Sequence, residues 1–255
     1  MNGVDGGAGT GAVSMTAPNA ITAIQDAYVK KVIDTLNDLP NVLWIVSEEA
    51  PKDSAWWNSH LIDVARTYEA GKPHHHPIGY AVQADNNDAT ILNSNADWIA
   101  PAGRISPTIS SGAGNPPRKV SINDSDHSYF GIWNDSPLTN RNYFWINFTN
   151  GNQTLFMDPY VVNYPRETRN LAAMTPQGKL SSTGHVLANT EGEFMVYAPS
   201  GNKFTLNLAG SSGQFSVEWM NPATGAKSTG EDVIGGATRT FTPPFNGDAV
   251  LYLKR

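Results

Sequence analysis

The sequence contains no cysteine. Disulfides and thiolate metal sites are therefore excluded, while the redox compartment stays open. The chain also lacks any apolar run of about 18 residues, the length that a membrane-spanning helix needs. Charged residues make up only 16% of the sequence and the net charge is -6. This balance argues against a nucleic acid or an anionic membrane as partner, because both attract basic surfaces.

Two catalytic motifs are missing as well. The sequence has no Gly-x-Ser-x-Gly motif, which disfavours a serine hydrolase. The glycine-rich residues 3–11 lack the preceding strand that a dinucleotide-binding loop requires, and we predict no cofactor. The first residues show neither the basic nor the apolar segment of a signal peptide. We expect the chain to be a shortened form of a longer protein.

The most informative stretch is a short apolar run, residues 42–46, which is followed by Glu48 and Glu49. A run of this length between turn residues favours a strand buried on both faces, as in a parallel sheet. Helical apolar spacing over residues 21–39 and again over residues 54–71 predicts a helix on either side. Ligands of such folds bind at the carboxyl ends of the strands. The two glutamates are therefore placed at a candidate site.

A second predicted strand, residues 119–123, also ends in carboxylates, Asp124 and Asp126, followed by His127. Glycoside hydrolysis needs two facing carboxylates, one to protonate the leaving oxygen and one to attack or to activate water. The alternative is that these acidic residues only favour the start of the next helix. Strand alternation does not separate Asp124 from Asp126, because both lie on the same side of an extended strand.

The predicted secondary-structure pattern changes after about residue 178. Before it, further strands are predicted at residues 78–82, 98–101 and 154–157, with a helix over residues 140–148. After it, short alternating strands follow one another, separated by Gly, Pro and Asn turns, which is typical of a small antiparallel β-sandwich. We place the boundary near residues 165–180, which gives domains of residues 1–170 and 171–255.

Three consecutive histidines, His74, His75 and His76, raise the question of a metal site. Adjacent residues of an extended segment point to opposite sides, so at most two of them can share an ion. We predict no metal and regard a hydrogen-bonding or substrate-contacting histidine as the better interpretation. Aromatic residues near the polar segments, Trp133 among them, fit either sugar stacking or an ordinary core.

Several segments in fixed order resemble a known family, the apiosidase-like, DUF4038-type glycoside hydrolases. In the first part of the chain these are residues 41–50, 72–79, 123–127 and 155–160. In the last part, residues 170–176, 215–225 and 241–253 resemble the C-terminal module of the same proteins, which is named for collagen binding. The resemblance implies a (β/α)8 TIM-type barrel followed by a β-sandwich, and a secreted or periplasmic protein.

The resemblance also implies roles for single residues. Glu49 corresponds to the general acid/base, and Asp124 or Asp126 to the nucleophile of a retaining mechanism. The candidate substrate contacts are Glu48, His75, His127, Trp133 and Asp158. Glu48 departs from the family, which has an asparagine there that bonds the 2-hydroxyl of the sugar. The glutamate instead places a second negative charge beside the acid.

The resemblance covers only about strands 4–8 of the barrel. We therefore expect an α/β plus all-β protein with an incomplete barrel, whose open edges are covered by a homo-oligomer, by swapped elements or by the sandwich. The predicted function is hydrolysis of a plant or microbial polysaccharide or oligosaccharide. The alternatives are a carbohydrate- or matrix-binding protein without turnover and a metal-dependent hydrolase that uses the histidines.

Overall fold

The computed structural model describes residues 20–48, 50–82, 88–101, 119–124, 137–155 and 170–255. The chain divides into two compact units. One comprises residues 1–103 and 119–122, and the other comprises residues 104–118 and 123–255. The division falls within a strand, directly after Ile122. The fold is mixed, with one parallel sheet and further antiparallel sheets, which confirms the predicted fold class at that level. The incomplete barrel stays a prediction.

Helices and strands alternate in the first unit and into the start of the second. In chain order the elements are α1 (Ala20–Leu36), β1 (Trp44–Ile45), α2 (Ala55–Glu69), β2 (Ile78–Ala81), α3 (Asp88–Leu92), β3 (Trp98–Ala100), β4 (Val120–Asp124), α4 (Pro137–Thr149) and β5 (Gln153–Leu155). The sheet has the strand order β1-β2-β3-β4-β5. The pairings of β1 with β2, β2 with β3 and β3 with β4 are all parallel.

The central strands of this sheet are covered on both faces. Ile78, Tyr80 and Ile99 are fully buried on one face. The opposite face carries Trp98, which packs directly over Gly79. Because both faces are covered, β2 and β3 consist almost entirely of apolar residues, as parallel strands commonly do.

β1 differs from this prediction. It is only two residues long instead of the predicted five, and the Ile45 side chain is 42% exposed. The prediction of a strand buried on both faces is therefore wrong for β1. The physical reason is its place at the end of the sheet order, since among the described residues it pairs with β2 alone.

The buried stripe of α2 agrees with the sequence. Trp57, Leu61 and Ala65 recur every fourth residue and are all buried. Ser54 precedes the helix as predicted, but its side chain makes no capping bond there. Its hydroxyl donates to the Pro51 carbonyl instead, at 2.6 Å.

The second unit contains the β-sandwich. Its strands are β6 (Thr175–Pro176), β7 (Val186–Ala188), β8 (Glu193–Ala198), β9 (Phe204–Asn207), β10 (Gln214–Met220), β11 (Lys227–Thr229), β12 (Val233–Ile234), β13 (Thr238–Phe241) and β14 (Ala249–Lys254). Two 3-10 turns, Leu171–Ala173 and Gly178–Leu180, precede β7. The larger sheet has the path β11-β10-β14-β8-β7-β6, with β12 beside β10, and β9 pairs with β13. The sequence did not predict β6, β11 and β12, which are too short to show alternation.

The larger sheet of the sandwich is apolar on both faces. One face closes the sandwich core, which includes Val196, Phe215 and Leu251. The other face, with Met195 and Tyr197, packs against α4. The compact units thus group α4 with the sandwich. The predicted domains of residues 1–170 and 171–255 remain a prediction.

Candidate functional site

The loop between β1 and α2 carries the first acidic pair. Ser47 leads into it, and the Ser47 hydroxyl donates to Asn58 Oδ1 of α2 at 2.6 Å. Glu48 is exposed to solvent, as a residue that meets a substrate must be. Glu49, the predicted acid/base, lies outside the described residues, while Ala50 behind it is buried.

The second acidic segment begins at the end of β4. The Asn123 side chain is fully buried and its Nδ2 donates to Asn147 Oδ1 of α4 at 2.7 Å. Asn147 in turn donates to the Tyr143 carbonyl at 3.0 Å, so α4 holds the end of the strand. Asp124 belongs to the backbone of β4, although its side chain is not among those described.

The remaining predicted site residues are Asp126, His127, Trp133 and Asp158, and all four lie outside the described residues. Their roles, like those of Glu49 and Asp124, stay predictions. The structure does show how the two acidic segments are anchored at their described ends. The Asn123–Asn147 contact was missed from the sequence, where a buried asparagine pair leaves no pattern.

The histidine triplet separates into two environments. His74 and His75 are exposed, whereas His76 is only 7% exposed. His76 Nδ1 lies 2.5 Å from Glu69 Oε1, and Nε2 lies 2.8 Å from the Leu39 carbonyl. Both neighbours accept hydrogen bonds, so both ring nitrogens donate and the ring is an imidazolium. His76 thus has no lone pair for a metal, which disfavours the metal-dependent alternative.

Glu69 is the centre of a buried polar network. It is 3% exposed, and its Oε1 also accepts hydrogen bonds from Nδ2 of Asn37 and Nε1 of Trp44, both at 3.1 Å. Burial by itself raises the pKa of Glu69, but the hydrogen bonds from His76 and Trp44 together lower it below its ordinary value. The hydrogen bond to Glu69 raises the pKa of His76, against the effect of burial. The pair is therefore held in its charged form.

Sequence reasoning overlooked Glu69, yet a signal was present. It continues the four-residue spacing of Trp57, Leu61 and Ala65 along the buried side of α2. A carboxylate at such a position must find partners inside the fold. The network joins the end of α1, β1, the end of α2 and the start of β2, and so fixes the base of β1.

The first unit also contains an apolar cavity of about 470 Å³. It lies between α1, α2 and β1 and is lined mainly by aliphatic and aromatic residues such as Val29, Trp44 and Leu61. Among the described residues that line it, Gln25 and Tyr28 are polar and none is a carboxylate. None of the predicted site residues is among them, so this cavity is not assigned to the predicted saccharide site.

Two kinds of feature are absent from the described residues. None of their helices is long and apolar enough to cross a membrane. No group of three or more histidine, aspartate or glutamate side chains in the described part of the chain is arranged to hold a metal ion.

The sequence and the fold were compared with known proteins. Residues 174–254 match the family described as "Putative collagen-binding domain of a collagenase". No curated protein matches the sequence significantly. Because the matched segment covers less than half of the chain, it describes the C-terminal module only.

Similar solved structures are glycoside hydrolases. One, titled "Glycoside hydrolase", has a TM-score of 0.67 and 13% identity, over 96% of this chain and 71% of that one. A glycoside hydrolase family 5 protein from Bacteroides vulgatus has a TM-score of 0.66 and 13% identity, over 91% and 67%. The catalytic domain of a GH30 xylanase C from Talaromyces cellulolyticus has a TM-score of 0.50 and 13% identity, over 91% and 67%.

At these identities the likeness concerns the fold. The mixed α/β fold of the chain is similar to the folds of these glycoside hydrolases, and residues 174–254 are similar to a collagen-binding domain.

Proposed function

We propose that the protein is a glycoside hydrolase of the apiosidase-like, DUF4038 type, acting on a plant or microbial polysaccharide or oligosaccharide. One observation carries the proposal. β1 and β4 belong to the same parallel sheet, so the acidic segments that follow them leave the sheet at the same edge. The carboxyl ends of parallel strands are where barrel enzymes place their catalytic residues.

The proposed chemistry requires the sheet to curve. Neighbouring strands lie about 4.8 Å apart, so a flat sheet would separate β1 from β4 by about 14 Å. A retaining mechanism needs the two carboxyl groups about 5 Å apart. A sheet that curves as in a barrel brings the ends of β1 and β4 closer together than a flat sheet does. The likeness to glycoside hydrolase folds supports such curvature.

The roles follow from this arrangement. Glu49 protonates the leaving oxygen and later deprotonates the attacking water. Asp124 or Asp126 attacks the anomeric carbon and forms the covalent glycosyl intermediate. Glu48, His127, Trp133 and Asp158 are the proposed substrate contacts, with Trp133 offering a ring on which a sugar face stacks. His75 precedes β2 and therefore lies at the opposite end of the parallel strands from Glu48, so it is not part of this proposal.

The test is release of new reducing ends from a panel of plant and microbial oligosaccharides. We expect turnover by the wild type and a loss of about 100-fold or more in Glu49→Gln, the range of a missing general acid. Asp124→Asn and Asp126→Asn decide the second carboxylate, because only the nucleophile variant should be inactive. Glu231→Gln, an exposed carboxylate of the sandwich unit, is the matched control. Full activity of Glu49→Gln would refute the assignment.

A second candidate function is binding without turnover, to a carbohydrate or to a matrix protein. The similarity of residues 174–254 to a collagen-binding domain favours it. One apolar face of the module already packs against α4, so a partner would meet other surfaces. Saturable binding to fibrillar collagen or to a polysaccharide, with no reducing ends released, supports this alternative. Turnover of any oligosaccharide in the panel excludes it.

A further inference from the structure

We propose that Asn58 of α2 is a positioning residue, which holds the acidic loop between β1 and α2 through Ser47 and Ser54. Its consequence for catalysis depends on the proposed function, whereas its hold on the loop does not.

The Asn58 side chain bridges the two ends of this loop. Its Oδ1 accepts the Ser47 hydroxyl at 2.6 Å. Its Nδ2 donates to the Ser54 carbonyl at 3.1 Å and to the Ser54 hydroxyl at 3.0 Å. Ser54 then donates to the Pro51 carbonyl through its hydroxyl at 2.6 Å and through its backbone N–H at 3.0 Å. A continuous chain of hydrogen bonds therefore brackets residues 48–50.

Burial makes this bridge strong. Asn58 and Ser54 are both 0% exposed, and Ala50 is 5% exposed. In such surroundings an amide that loses its partners leaves buried polar groups unsatisfied, which is strongly unfavourable. Glu48, between these buried anchors, faces solvent. The loop is thus fixed at both ends while Glu48 stays accessible.

Helix formation does not explain an asparagine at this place. Asparagine is a poor residue for a helix interior, because its side chain competes for backbone partners. Asn58 lies in the first turn and a half of α2, where its side chain reaches back over the loop. Its side-chain hydrogen bonds to Ser47 and Ser54 all run to that loop.

The position of the loop sets the position of the proposed acid. Ser47 lies two residues before Glu49 in the chain. A displacement of about 1 Å in a catalytic group costs roughly 100-fold in rate. Loss of the Ser47–Asn58 bond should therefore lower kcat while leaving KM nearly unchanged, because Asn58 itself is buried away from substrate.

The first test measures the loop directly and needs no enzymatic activity. A glutamate-specific protease cleaves after Glu48 or Glu49 only when the loop opens. We expect Ser47→Ala and Asn58→Ala each to speed this cleavage at least tenfold, and the double variant to be no faster than Asn58→Ala. Ser47→Ala removes only one bond at a half-buried site, so it keeps the test valid if Asn58→Ala fails to fold. Thr67→Ala, exposed on the same helix, is the control.

Unchanged cleavage in Ser47→Ala, or additive effects in the double variant, would overturn the proposal. The second readout is kcat against KM for the oligosaccharide panel. A kcat for Ser47→Ala equal to that of the wild type would overturn the catalytic consequence. A wild type without turnover, combined with the expected cleavage rates, would refute the proposed function and leave the positioning role standing.

Discussion

Glu69 and His76 form a buried, charged pair, and this predicts how stability depends on pH. The pKa of His76 is raised above its ordinary 6.5, and that of Glu69 is lowered below its ordinary 4.5. The His76 contribution is complete below pH 6.5 and is lost as the pH rises through its raised pKa. The Glu69 contribution is complete above pH 4.5 and is lost as the pH falls through its lowered pKa. The pair therefore stabilises most between pH 4.5 and 6.5.

The corresponding variant is His76→Gln. It leaves Glu69 buried without its cation, which should cost about 3–5 kcal/mol in the free energy of unfolding. The variant should also lack the decline in stability that we predict for the wild type above pH 6.5. Urea unfolding at several pH values, followed by tryptophan fluorescence, measures both effects, since Trp44 donates to Glu69.

His75→Gln is the matched control for this measurement. His75 is exposed, so the substitution should change the free energy of unfolding of the protein by less than about 0.5 kcal/mol. Equal stability of His76→Gln and the wild type at pH 6 would contradict the ion-pair interpretation.

Gly79 allows the close approach of Trp98. A Cβ at position 79 would lie 2.1 Å from Cε2 of the Trp98 ring, where no real contact is possible. We expect Gly79→Ala to lower the free energy of unfolding by about 1–3 kcal/mol, as overpacking does. Gly71→Ala is the control, because its nearest atom would be 3.9 Å away. Thermal unfolding of both variants tests this expectation. Equal melting temperatures of Gly79→Ala and Gly71→Ala would contradict the close packing of Trp98 on Gly79.

For single residues, the sequence points to candidates for a functional role more readily than to the partners that they contact. The histidine triplet is visible, but only the fold separates His76, bound to Glu69, from the exposed His75. Asn58 and Asn123 escape sequence reasoning altogether. Their partners, Ser47 and Asn147, lie 11 and 24 positions away, and long-range hydrogen bonds follow no local periodicity.

Among the elements, α4 is tied to the sandwich by a buried ion pair as well as by packing. Arg141 donates to both carboxylate oxygens of Asp248, at 3.2 and 2.9 Å, and Asp248 is 2% exposed. Tyr197 donates to the same carboxylate at 3.2 Å, and its ring stacks on Trp145 of the helix. The helix therefore covers this face of the sheet through polar and apolar contacts together.

Arg141→Met tests this interface. It leaves the Asp248 charge buried without its cation, so we expect a loss of about 3–5 kcal/mol in the free energy of unfolding. Arg66→Met is the same substitution in an ion pair whose side chains are 44% and 41% exposed, where the expected loss is at most about 1 kcal/mol. Urea unfolding of the two variants compares them. A loss in Arg141→Met no larger than in Arg66→Met would show that the interface does not depend on this pair.

Element prediction succeeds where a period is long enough to see. The stripe of α2 follows from spacing alone, and β9, Phe204–Asn207, shows the alternation of buried and exposed residues that strand prediction relies on. β1 was predicted too long because apolar content is the only signal in residues 42–46. The exposure of Leu43 and Ile45 shows that these residues are not all core. Whether a neighbouring strand covers an apolar run is decided outside the run itself.

For the whole molecule, self-association remains a prediction, and the exposed end of the parallel sheet is where we expect it. Leu43 and Ile45 are 55% and 42% exposed beside β1, which pairs with β2 alone among the described strands. Parallel sheets rarely leave such an edge open to solvent. We propose that a second copy of the chain covers it.

Light scattering after size-exclusion chromatography measures this association. We expect a dimer for the wild type and a monomer for Ile45→Lys, which places a charge in the proposed interface. Ile234→Lys changes an apolar residue of the sandwich unit that is more exposed than Ile45, at 57%, and should remain a dimer. A monomeric wild type at micromolar concentration would contradict the proposal.

The architecture was more predictable than the site. A parallel α/β part and a sandwich follow from the alternation of patterns, and both are present. The catalytic pairing cannot be read from the sequence in the same way, because it depends on how far the sheet curves between β1 and β4. Curvature is a property of the whole packed sheet and is not encoded in either acidic segment.

The central claim is that Glu49 protonates the leaving group, and leaving-group dependence tests it most directly. The 2,4-dinitrophenolate leaving group of a dinitrophenyl glycoside departs without being protonated. An alkyl or sugar leaving group on the same sugar needs a proton from the acid. The measurement is kcat/KM of the wild type and of Glu49→Gln on both substrates. We predict a loss of about 100-fold or more for the poor leaving group and a much smaller loss for the dinitrophenyl glycoside. Equal losses on the two substrates, or none on either, would contradict the account.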